Sequence, residues 1–298
     1  MNSISMKSFA KINLSLDILG KLDNGYHEVK MVMQTVSLYD VVVLEKKDHG
    51  IELSSNVGFL PSDSSNIAYA AAEAFFKKTG ILGGAKIRLN KRIPVGAGLA
   101  GGSGNAAAVL KGLNTLYNAR LRTSELCEIG TPLGADVPYC IIGGTRLAEG
   151  IGEKISPLPK MPKCHIVLVK PRFSISTAWA YQNVDESRDL VHPNTDELIA
   201  ALRKRDLAAI AANMGNVLED VSIGHYEILR ELKEKLVSQG ALGALMSGSG
   251  PTVFGIFDSE EKAASATDHL REEYPSAFVC HTTTVGSDRD EQRLRKFR

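Results

Sequence analysis

Five glycines fall within nine residues of segment 94–107, which reads Pro-Val-Gly-Ala-Gly-Leu-Ala-Gly-Gly-Ser-Gly-Asn-Ala-Ala. Charged and apolar residues alternate over 85–92, which predicts a strand before the glycines, and apolar residues at helical spacing over 105–117 predict a helix after them. Glycine lets a backbone approach a ligand closely, and the unpaired N–H groups at the start of a helix attract anions. The segment therefore favours a phosphate-binding loop over a plain turn.

Three well-known nucleotide motifs do not account for this loop. Gly96, Gly98 and Gly101 satisfy G-x-G-x-x-G, but that motif needs an acidic residue after a second strand, and the residues after Leu121 have helical spacing. A Walker A loop needs a lysine that does not follow Gly101 or Gly102. The chain also lacks the H-R-D and D-F-G motifs of protein kinases. The pattern that fits is P-x-x-x-G-L-(A/G)-G-G-S.

Polar side chains also stand out on the first predicted strand and on the turn after it. Residues 7–19 alternate between apolar residues and a polar set that includes Lys11 and Asn13. A lysine in this position is most often simply solvated. The turn ends in Tyr26 and His27, which on their own are weak evidence for a site. A functional role for these residues therefore needs further support.

Asp136 lies in a run of special residues. Pro132 and Gly134 predict the end of the preceding helix, and Pro138 predicts that the following residues are not helical. We therefore expect Asp136 on a short constrained loop. A buried aspartate there could serve catalysis or merely satisfy nearby N–H groups, and the sequence alone does not decide between these roles.

Composition indicates an ordinary globular protein. The chain has 298 residues, of which 44% are hydrophobic and 23% charged, and its formal net charge is +1. Such a balance gives no indication of a nucleic-acid partner or a membrane surface, and no apolar run approaches the ~18 residues of a spanning helix. The cysteines are scattered without metal-ligand spacing, which predicts reduced thiols in a cytoplasmic protein. These are Cys127, Cys140, Cys164 and Cys280.

Three prolines in residues 157–162 indicate a linker between two domains. We predict an N-terminal domain over 1–156, a C-terminal domain over 163–286 and a charged tail over 287–298. The first is expected to include an alanine-rich helix over 66–78. In the second, strands and helices alternate, which favours a small α/β sandwich. Its predicted strands are 165–169, 252–257 and 277–283, and its predicted helices are 195–213, 225–239 and 260–273.

The order of these motifs resembles that of the GHMP kinases, the superfamily of galactokinase, homoserine kinase and mevalonate kinase. The shared features are the first strand, the glycine loop and a second Gly-Ser-Gly loop at 246–251. Ala-Lys-Ile-Asn-Leu, Gly-Tyr-His and Leu-Gly-Ala-Asp-Val-Pro are similar to the branch that phosphorylates the 2-hydroxyl of CDP-linked methylerythritol in non-mevalonate isoprenoid synthesis. These three motifs occupy residues 10–14, 25–27 and 133–138, and the resemblance extends over 7–284.

The resemblance implies a two-domain α+β fold, with an N-terminal ribosomal-protein-like α/β domain and a C-terminal ferredoxin-like α/β sandwich. It implies ATP with Mg²⁺, a small-molecule acceptor, no metal held by the protein itself, and a monomer or weak homodimer. Lys11 and Asp136 match the catalytic pair, in which the carboxylate accepts the hydroxyl proton and the lysine keeps it ionised. The implied substrate-binding residues are Asn13, Tyr26, His27 and Tyr181, although Tyr181 and Trp179 could instead belong to the core. The implied ATP-binding residues are Asn66, Lys91, Pro94, Gly96, Gly98, Leu99, Ala100, Gly101, Gly102, Ser103, Gly104 and Asn105.

Two departures from the family pattern carry expectations. Gly104 stands where the family usually has a second serine, so Gly104→Ser is expected to lower the KM for ATP without changing thermal stability. The alternative is that Gly104 has a positive φ, in which case serine would destabilise the protein. Residues 130–132, Gly-Thr-Pro, are expected to shorten the helix before Asp136. Three rival functions remain open, namely a mevalonate- or sugar-type kinase, a non-catalytic nucleotide-binding member and, third, a dinucleotide-dependent oxidoreductase.

Overall fold

The computed structural model describes residues 1–23, 25–187 and 190–286, and the chain divides into two compact units. The strands β1 (Ser3–Lys21) and β2 (His27–Lys47) contribute to both units. Unit 1 comprises residues 1–10, 38–95 and 100–142, and unit 2 comprises residues 11–37, 96–99 and those from 143 onward. The predicted tail, 287–298, lies outside the described residues. The two predicted domains, 1–156 and 163–286, are continuous segments of the family fold, whereas these units are groups of residues that pack together. The domain boundaries therefore stay a prediction.

Unit 1 is a sheet covered by helices rich in small residues. Its sheet contains β3 (Gly50–Ser55), which is parallel to β4 (Gly84–Asn90), and β4 is antiparallel to β2. Buried alanines line the first two helices, which lets these helices lie close to each other and to the sheet. The helices are α1 (Ile67–Thr79), α2 (Gly101–Leu116), α3 (Thr123–Gly130) and α4 (Asp136–Ile142).

The strands of unit 2 form two groups. In the first group, β5 (Thr145–Gly150) is antiparallel to β2 and to β6 (Lys154–Pro157), and β8 (Gly215–Asn216) is parallel to β1. The second group is an antiparallel sheet in the order β11-β7-β10-β9. Its strands are β7 (His165–Lys170), β9 (Gly243–Met246), β10 (Val253–Phe257) and β11 (Phe278–Thr283).

The described residues of unit 2 form six helices, and the apolar faces of these helices contribute to the core of the unit. Buried leucines at helical spacing on α9, together with alanines on α10, place these two helices in contact with the strands of the second group. The helices are α5 (Thr177–Glu186), α6 (Thr195–Lys204), α7 (Leu207–Ala212), α8 (Val217–His225), α9 (Ile228–Ser238) and α10 (Glu260–Glu273).

The predicted elements are confirmed where periodicity is strong, including α1, α10 and the strands β7, β10 and β11. The prediction of one helix over 195–213 is wrong. Arg205 has φ +57° and Asp206 caps a new helix by accepting the N–H of Ala209 at 3.0 Å, so the segment forms α6 and α7. The helix predicted over 225–239 begins at Ile228 instead. The sequence analysis missed α8 altogether.

The prediction of a loop around Asp136 is also wrong. Asp136 is the first residue of α4, and Pro138 lies in the first turn, where its missing N–H would have no partner within the helix. The helix before Asp136, α3, ends at Gly130, and a single 3₁₀ turn, Thr131–Leu133, follows. That this helix is shorter than the family pattern stays a prediction. Among the described residues, no helix is both long enough and apolar enough to cross a membrane.

Candidate active site

The glycine loop leads into the start of α2, which begins four residues earlier than predicted. Ala100 is the N-cap with φ +54°, and no side chain caps the helix there. The first N–H groups of α2 therefore keep the anion-binding character that is usual at a helix start. A methyl group at Gly101 would lie 3.0 Å from Ile93 Cγ2 and 3.1 Å from Lys91 Nζ, so the glycine lets the end of β4 approach the helix closely.

A buried polar network supports this helix start within unit 1. Asp40 is completely buried, and its Oδ1 accepts the main-chain N–H groups of Arg92 at 2.7 Å and Ile93 at 2.8 Å. Its Oδ2 pairs with Lys91 Nζ and accepts from Asn105 Nδ2 at 2.9 Å. Lys91 also donates to Asn105 Oδ1 at 2.9 Å. Each of these bonds joins two of three parts of the chain, namely β2, the segment after β4, and α2. The network therefore fixes the chain on both sides of the loop.

The predicted adenosine contacts Asn66 and Lys91 both have structural partners. Asn66 caps α1, because its Oδ1 accepts the N–H of Ala68 at 3.0 Å, and its Nδ2 donates to Pro61 O at 2.8 Å. The side chain of Lys91 is 5% exposed. Their contact with a nucleotide stays a prediction.

The surroundings of Gly104 lead us to expect that Gly104→Ser lowers thermal stability, contrary to the expectation from the sequence. It is a buried residue inside α2 and has no positive φ, so the alternative based on a left-handed backbone is wrong. A Cβ at this position would lie 2.7 Å from Ser8 Oγ and 3.3 Å from Phe9 O. Ser8 Oγ already accepts from Asn105 Nδ2 at 3.0 Å and cannot rotate away without losing that bond. A side chain at Gly104 therefore points into packed β1, where it would strain the core.

The segment just before Asp136 lies beside the first turn of α2 in unit 1. A methyl group at Gly134 would lie 3.9 Å from Ser103 Oγ, which brings the predicted phosphate-binding turn next to the residue two positions before Asp136. The carboxylate also lies at the start of α4, where a negative charge interacts favourably with the helix dipole. The structure thus places Ser103, at the start of α2, near Gly134, which precedes Asp136 by two residues.

Lys11 and Asn13 lie on β1 in unit 2, and both are buried. They are 5% and 0% exposed, so the interpretation of Lys11 as a solvated surface lysine is wrong. Lys11 Nζ donates to Asn13 Oδ1 at 2.6 Å, and Asn13 Nδ2 lies 3.4 Å from the sulfur of Met31. The main-chain N–H of Lys11 donates to Leu99 O at 3.2 Å, which joins β1 to the glycine loop.

The second glycine loop packs directly against these residues. Ser247 Oγ donates to Gly98 O at 3.0 Å, and any methyl group at Gly98 would overlap the carbonyl oxygen of Ser247. Gly98 also has φ +71°, so two independent constraints require glycine at this position. Gly96, with φ +61°, similarly lies against Ser174. Unit 2 therefore brings Lys11 together with both glycine loops.

An aromatic group with an acidic partner forms around His27 in unit 2. The rings of His27 and Tyr181 have centroids 4.9 Å apart, and Tyr26 is 60% exposed. His27 Nε2 lies 2.6 Å from Asp185 Oδ1. Hydrogen bonds from Lys21 and His27 lower the pKa of the Asp185 carboxyl. Tyr181 is not a core residue of α5, whose buried residues are Ala180 and Val184.

Sequence analysis missed two residues of these groups that simple signals could have revealed. Asp185 follows Tyr181 by four positions on a helix, a spacing that places both on one face. Asp40 directly precedes the apolar run at 41–44, which predicts a buried strand. A carboxylate buried with such a strand needs a hydrogen-bonding or charged partner, so Asp40 could have been singled out. The structure places the two proposed catalytic residues in different units, Lys11 in unit 2 and Asp136 in unit 1.

Cysteines and metal-ligand clusters add no further site. All four cysteines are free thiols, and burial raises the pKa of Cys164 to about 12. Within residues 1–23, 25–187 and 190–286, no group of three His, Cys, Asp or Glu side chains is arranged to hold a metal ion.

Comparison with known protein families matches two parts of this chain. The family model of the GHMP kinases N terminal domain matches residues 66–144, and that of the GHMP kinases C terminal region matches residues 198–276. The chain belongs to the GHMP kinase family.

Among its relatives is a 4-diphosphocytidyl-2-C-methyl-D-erythritol kinase of Acetivibrio thermocellus, 48% identical over 95% of this chain and 100% of the relative. A protein of the same name from Clostridium botulinum is 48% identical over 94% of this chain and 100% of its own length. A crystal structure of 4-(cytidine 5'-diphospho)-2C-methyl-D-erythritol kinase superposes with a TM-score of 0.80 at 31% identity. That superposition covers 95% of this chain and 100% of the crystallised chain.

Proposed function

We propose that this protein transfers the γ-phosphoryl group of ATP to the 2-hydroxyl of 4-diphosphocytidyl-2-C-methyl-D-erythritol, giving the 2-phosphate and ADP. The observation that carries the proposal is the 48% identity, over 95% of the chain, to a kinase of that name. The reaction belongs to non-mevalonate isoprenoid synthesis. The absence of any cysteine pairing is consistent with the cytoplasmic location that we also propose.

ATP is the phosphoryl donor that membership of a kinase family implies, and unit 1 offers a fitting anion site for it. The uncapped start of α2 presents main-chain N–H groups to the triphosphate. The buried network of Asp40, Lys91 and Asn105 keeps that helix start in place. Phosphoryl transfer depends on such positioning and on charge stabilisation more than on covalent chemistry.

Asp136 and Lys11 are the proposed reactive pair. Asp136 accepts the proton of the substrate hydroxyl as its oxygen attacks phosphorus, because an ionised carboxylate is an acceptor only. Lys11 keeps its positive charge near the reacting oxygens and favours the negative charge that develops there. The side chain of Lys11 is held by Asn13 and is shielded from solvent, which strengthens its electrostatic effect.

Mg²⁺ is proposed to accompany ATP. The ion prefers oxygen ligands and keeps several waters, so the phosphate oxygens of ATP together with water are a fitting donor set. Ser103 in the first turn of α2 offers its hydroxyl to a phosphate oxygen or to a water of the ion. When bound, Mg²⁺ neutralises charge on the transferred phosphate.

The cytosine base is proposed to bind at Tyr26, His27 and Tyr181. Tyr26 exposes a large ring, and Tyr181 contacts His27 at the surface of unit 2. Stacking on such rings contributes about 1–3 kcal/mol per base. Asp185 orients His27 through the bond between Oδ1 and Nε2.

Identification of the product tests this proposal. The purified protein is incubated with ATP, Mg²⁺ and 4-diphosphocytidyl-2-C-methyl-D-erythritol, and ³¹P NMR follows the phosphorus resonances. We expect one ADP for each new phosphomonoester, with the phosphate coupled to no carbon-bound proton because the 2-carbon carries none. Phosphate at another hydroxyl would contradict the assigned acceptor.

A further inference from the structure

A buried asparagine holds the second glycine loop, residues 246–251. Asn216 is 4% exposed and ends β8, the short strand that pairs with β1. Its Nδ2 donates to the main-chain oxygens of Met246 and Gly248, both at 2.8 Å. Its Oδ1 accepts the N–H of Leu218 at 3.0 Å and caps α8. The amide thus uses both of its donor protons on the loop and its acceptor on the helix.

Glu219, one turn further along α8, supports the same loop. Its Oε1 accepts the N–H of Met246 at 3.1 Å, and its Oε2 pairs with Lys233 at 2.9 Å. Met246 is therefore held at both its N–H and its carbonyl oxygen, whereas Gly248 is held at its carbonyl by Asn216.

Gly248 in turn limits the space around Lys11. A methyl group at Gly248 would lie 3.2 Å from Lys11 Nζ and 3.4 Å from Asn13 Oδ1. The main chain of Gly248, with φ +58°, therefore lies so near Lys11 and Asn13 that a side chain at this position would meet the end groups of both. A lysine side chain is flexible and loses rotamer freedom when it is held in place, so the main chain beside its end group restricts the positions that the ammonium can take.

We propose that Asn216 is a positioning residue for Lys11, acting through the main chain of Gly248. The inference rests on the proposed catalytic role of Lys11. Loss of the two Nδ2 donors frees the carbonyl of Gly248, the loop moves away from Lys11, and the ammonium leaves the position in which it acts. A displacement of about 1 Å at a reacting group lowers the rate by roughly 10²-fold.

Two substitutions separate this role from helix capping. Serine and aspartate both retain an oxygen that caps α8, and neither donates two hydrogen bonds to the loop. We expect Asn216→Ser and Asn216→Asp to lower kcat about 10- to 100-fold and to leave the KM for each substrate within about twofold. The matched control is Asn194→Ser, because Asn194 caps α6 at an exposed site by accepting the N–H of Glu197 at 3.1 Å. The control should keep wild-type kinetics.

A double-mutant cycle with Lys11→Met provides the deciding readout. If Asn216 acts through Lys11, adding Asn216→Ser to Lys11→Met causes no further loss of rate. A rate that falls by the same factor in both backgrounds would show a structural role only and overturn the inference. So would wild-type kcat in both Asn216 variants, or wild-type kcat in Lys11→Met alone. If Asn216→Asp does not fold, Asn216→Ser alone decides the test.

A folded wild-type protein that shows no turnover would contradict the proposed function itself. The role inferred for Asn216 would then be refuted as well, because it rests on that function.

Discussion

Asp136 combines a proposed chemical role with a structural one, and the two can be measured separately. Asp136→Asn removes the proton acceptor but keeps the shape, so we expect kcat to fall by roughly 10²–10⁴ while both KM values change little. Loss of the charge at the start of α4 should lower stability by only about 0.3–1 kcal/mol.

The control for this prediction is Asp206→Asn, which neutralises a carboxylate at the start of α7. It should lower stability by a similar amount without affecting turnover. An Asp136→Asn protein that retains more than half of the wild-type kcat would exclude Asp136 from proton transfer.

Tyr181 tests the proposed recognition of the base. Tyr181→Ala removes a ring that contacts His27, so the KM for the cytidylyl substrate should rise about 5- to 150-fold and the KM for ATP should stay unchanged. Trp179→Ala is the matched control, because Trp179 lies on the same helix but contacts His225 and Tyr226. Equal effects of the two substitutions on the KM for the cytidylyl substrate would argue against stacking by Tyr181.

Gly104 tests whether packing or phosphate contact governs the first turns of α2. Gly104→Ser forces a Cβ to 2.7 Å from Ser8 Oγ, and overpacking of this kind costs about 1–3 kcal/mol. We expect the Tm measured without nucleotide to fall by several degrees. Gly102→Ser serves as control, since the nearest atom to its Cβ would be Ile67 Cγ2 at an ordinary 3.5 Å. An unchanged Tm for Gly104→Ser would contradict the packing argument and support the expectation that a serine hydroxyl at this position contacts the nucleotide.

Residue types and their spacing are enough to propose the site residues, whereas they do not indicate the residues that support them. The motifs containing Lys11 and Asp136 are contiguous in sequence, so their spacing could be recognised directly. The side-chain partners of Asp40 lie 51 to 65 positions away in the sequence. The main-chain oxygens that Asn216 binds lie 30 to 32 positions away. Such contacts depend on the tertiary fold, and no local spacing reveals them.

At the scale of elements, β7 and β11 carry a pair of histidines whose titration should affect stability. His165 Nδ1 lies 3.0 Å from His281 Nε2, and burial, followed by the charge of His165, lowers the pKa of His281. The folded protein therefore resists protonation at a pH where the unfolded chain, with a histidine pKa near 6.5, accepts the proton. Stability from this group is present above that pH and is lost as the pH falls below it.

Replacing His281 removes the titrating group, so His281→Gln should make the Tm less dependent on pH between about 7.5 and 5.5 than it is in the wild type. Thermal melts at several pH values measure the difference. His49→Gln, at an exposed position, is the control and should leave the wild-type dependence intact. A wild-type slope in His281→Gln would show that the histidine pair does not titrate in this range.

Elements with strong periodicity were predictable, whereas their ends and interruptions were not. The uninterrupted pattern over 195–213 concealed a break because Arg205 adopts a left-handed conformation that its residue type does not suggest. Similarly, Pro138 predicts the absence of a helix, although proline is tolerated in the first turn of one. In each case the position relative to the helix end decided the outcome, and that position depends on packing.

At the scale of the whole molecule, the mixed α and β content and the order of the motifs were sufficient to predict the family fold. The glycine loop illustrates the limit of that prediction. Its residues 96–99 pack with unit 2, whereas Ala100 and α2 belong to unit 1. The sequence predicted a single phosphate-binding loop and gave no sign of this division, because it arises from long-range contacts such as that of Gly98 with Ser247.

Phosphorylation of a CDP-linked alcohol is the activity that we propose for this protein. A coupled assay of ADP release tests it most directly, with 4-diphosphocytidyl-2-C-methyl-D-erythritol, mevalonate, galactose and 2-C-methyl-D-erythritol 4-phosphate offered as separate acceptors. We expect ADP release that depends on the cytidylyl compound, and no turnover above the acceptor-free rate with the other three. Turnover with mevalonate or galactose but not with the CDP-linked alcohol would contradict the claim, as would ATP binding without turnover of any acceptor.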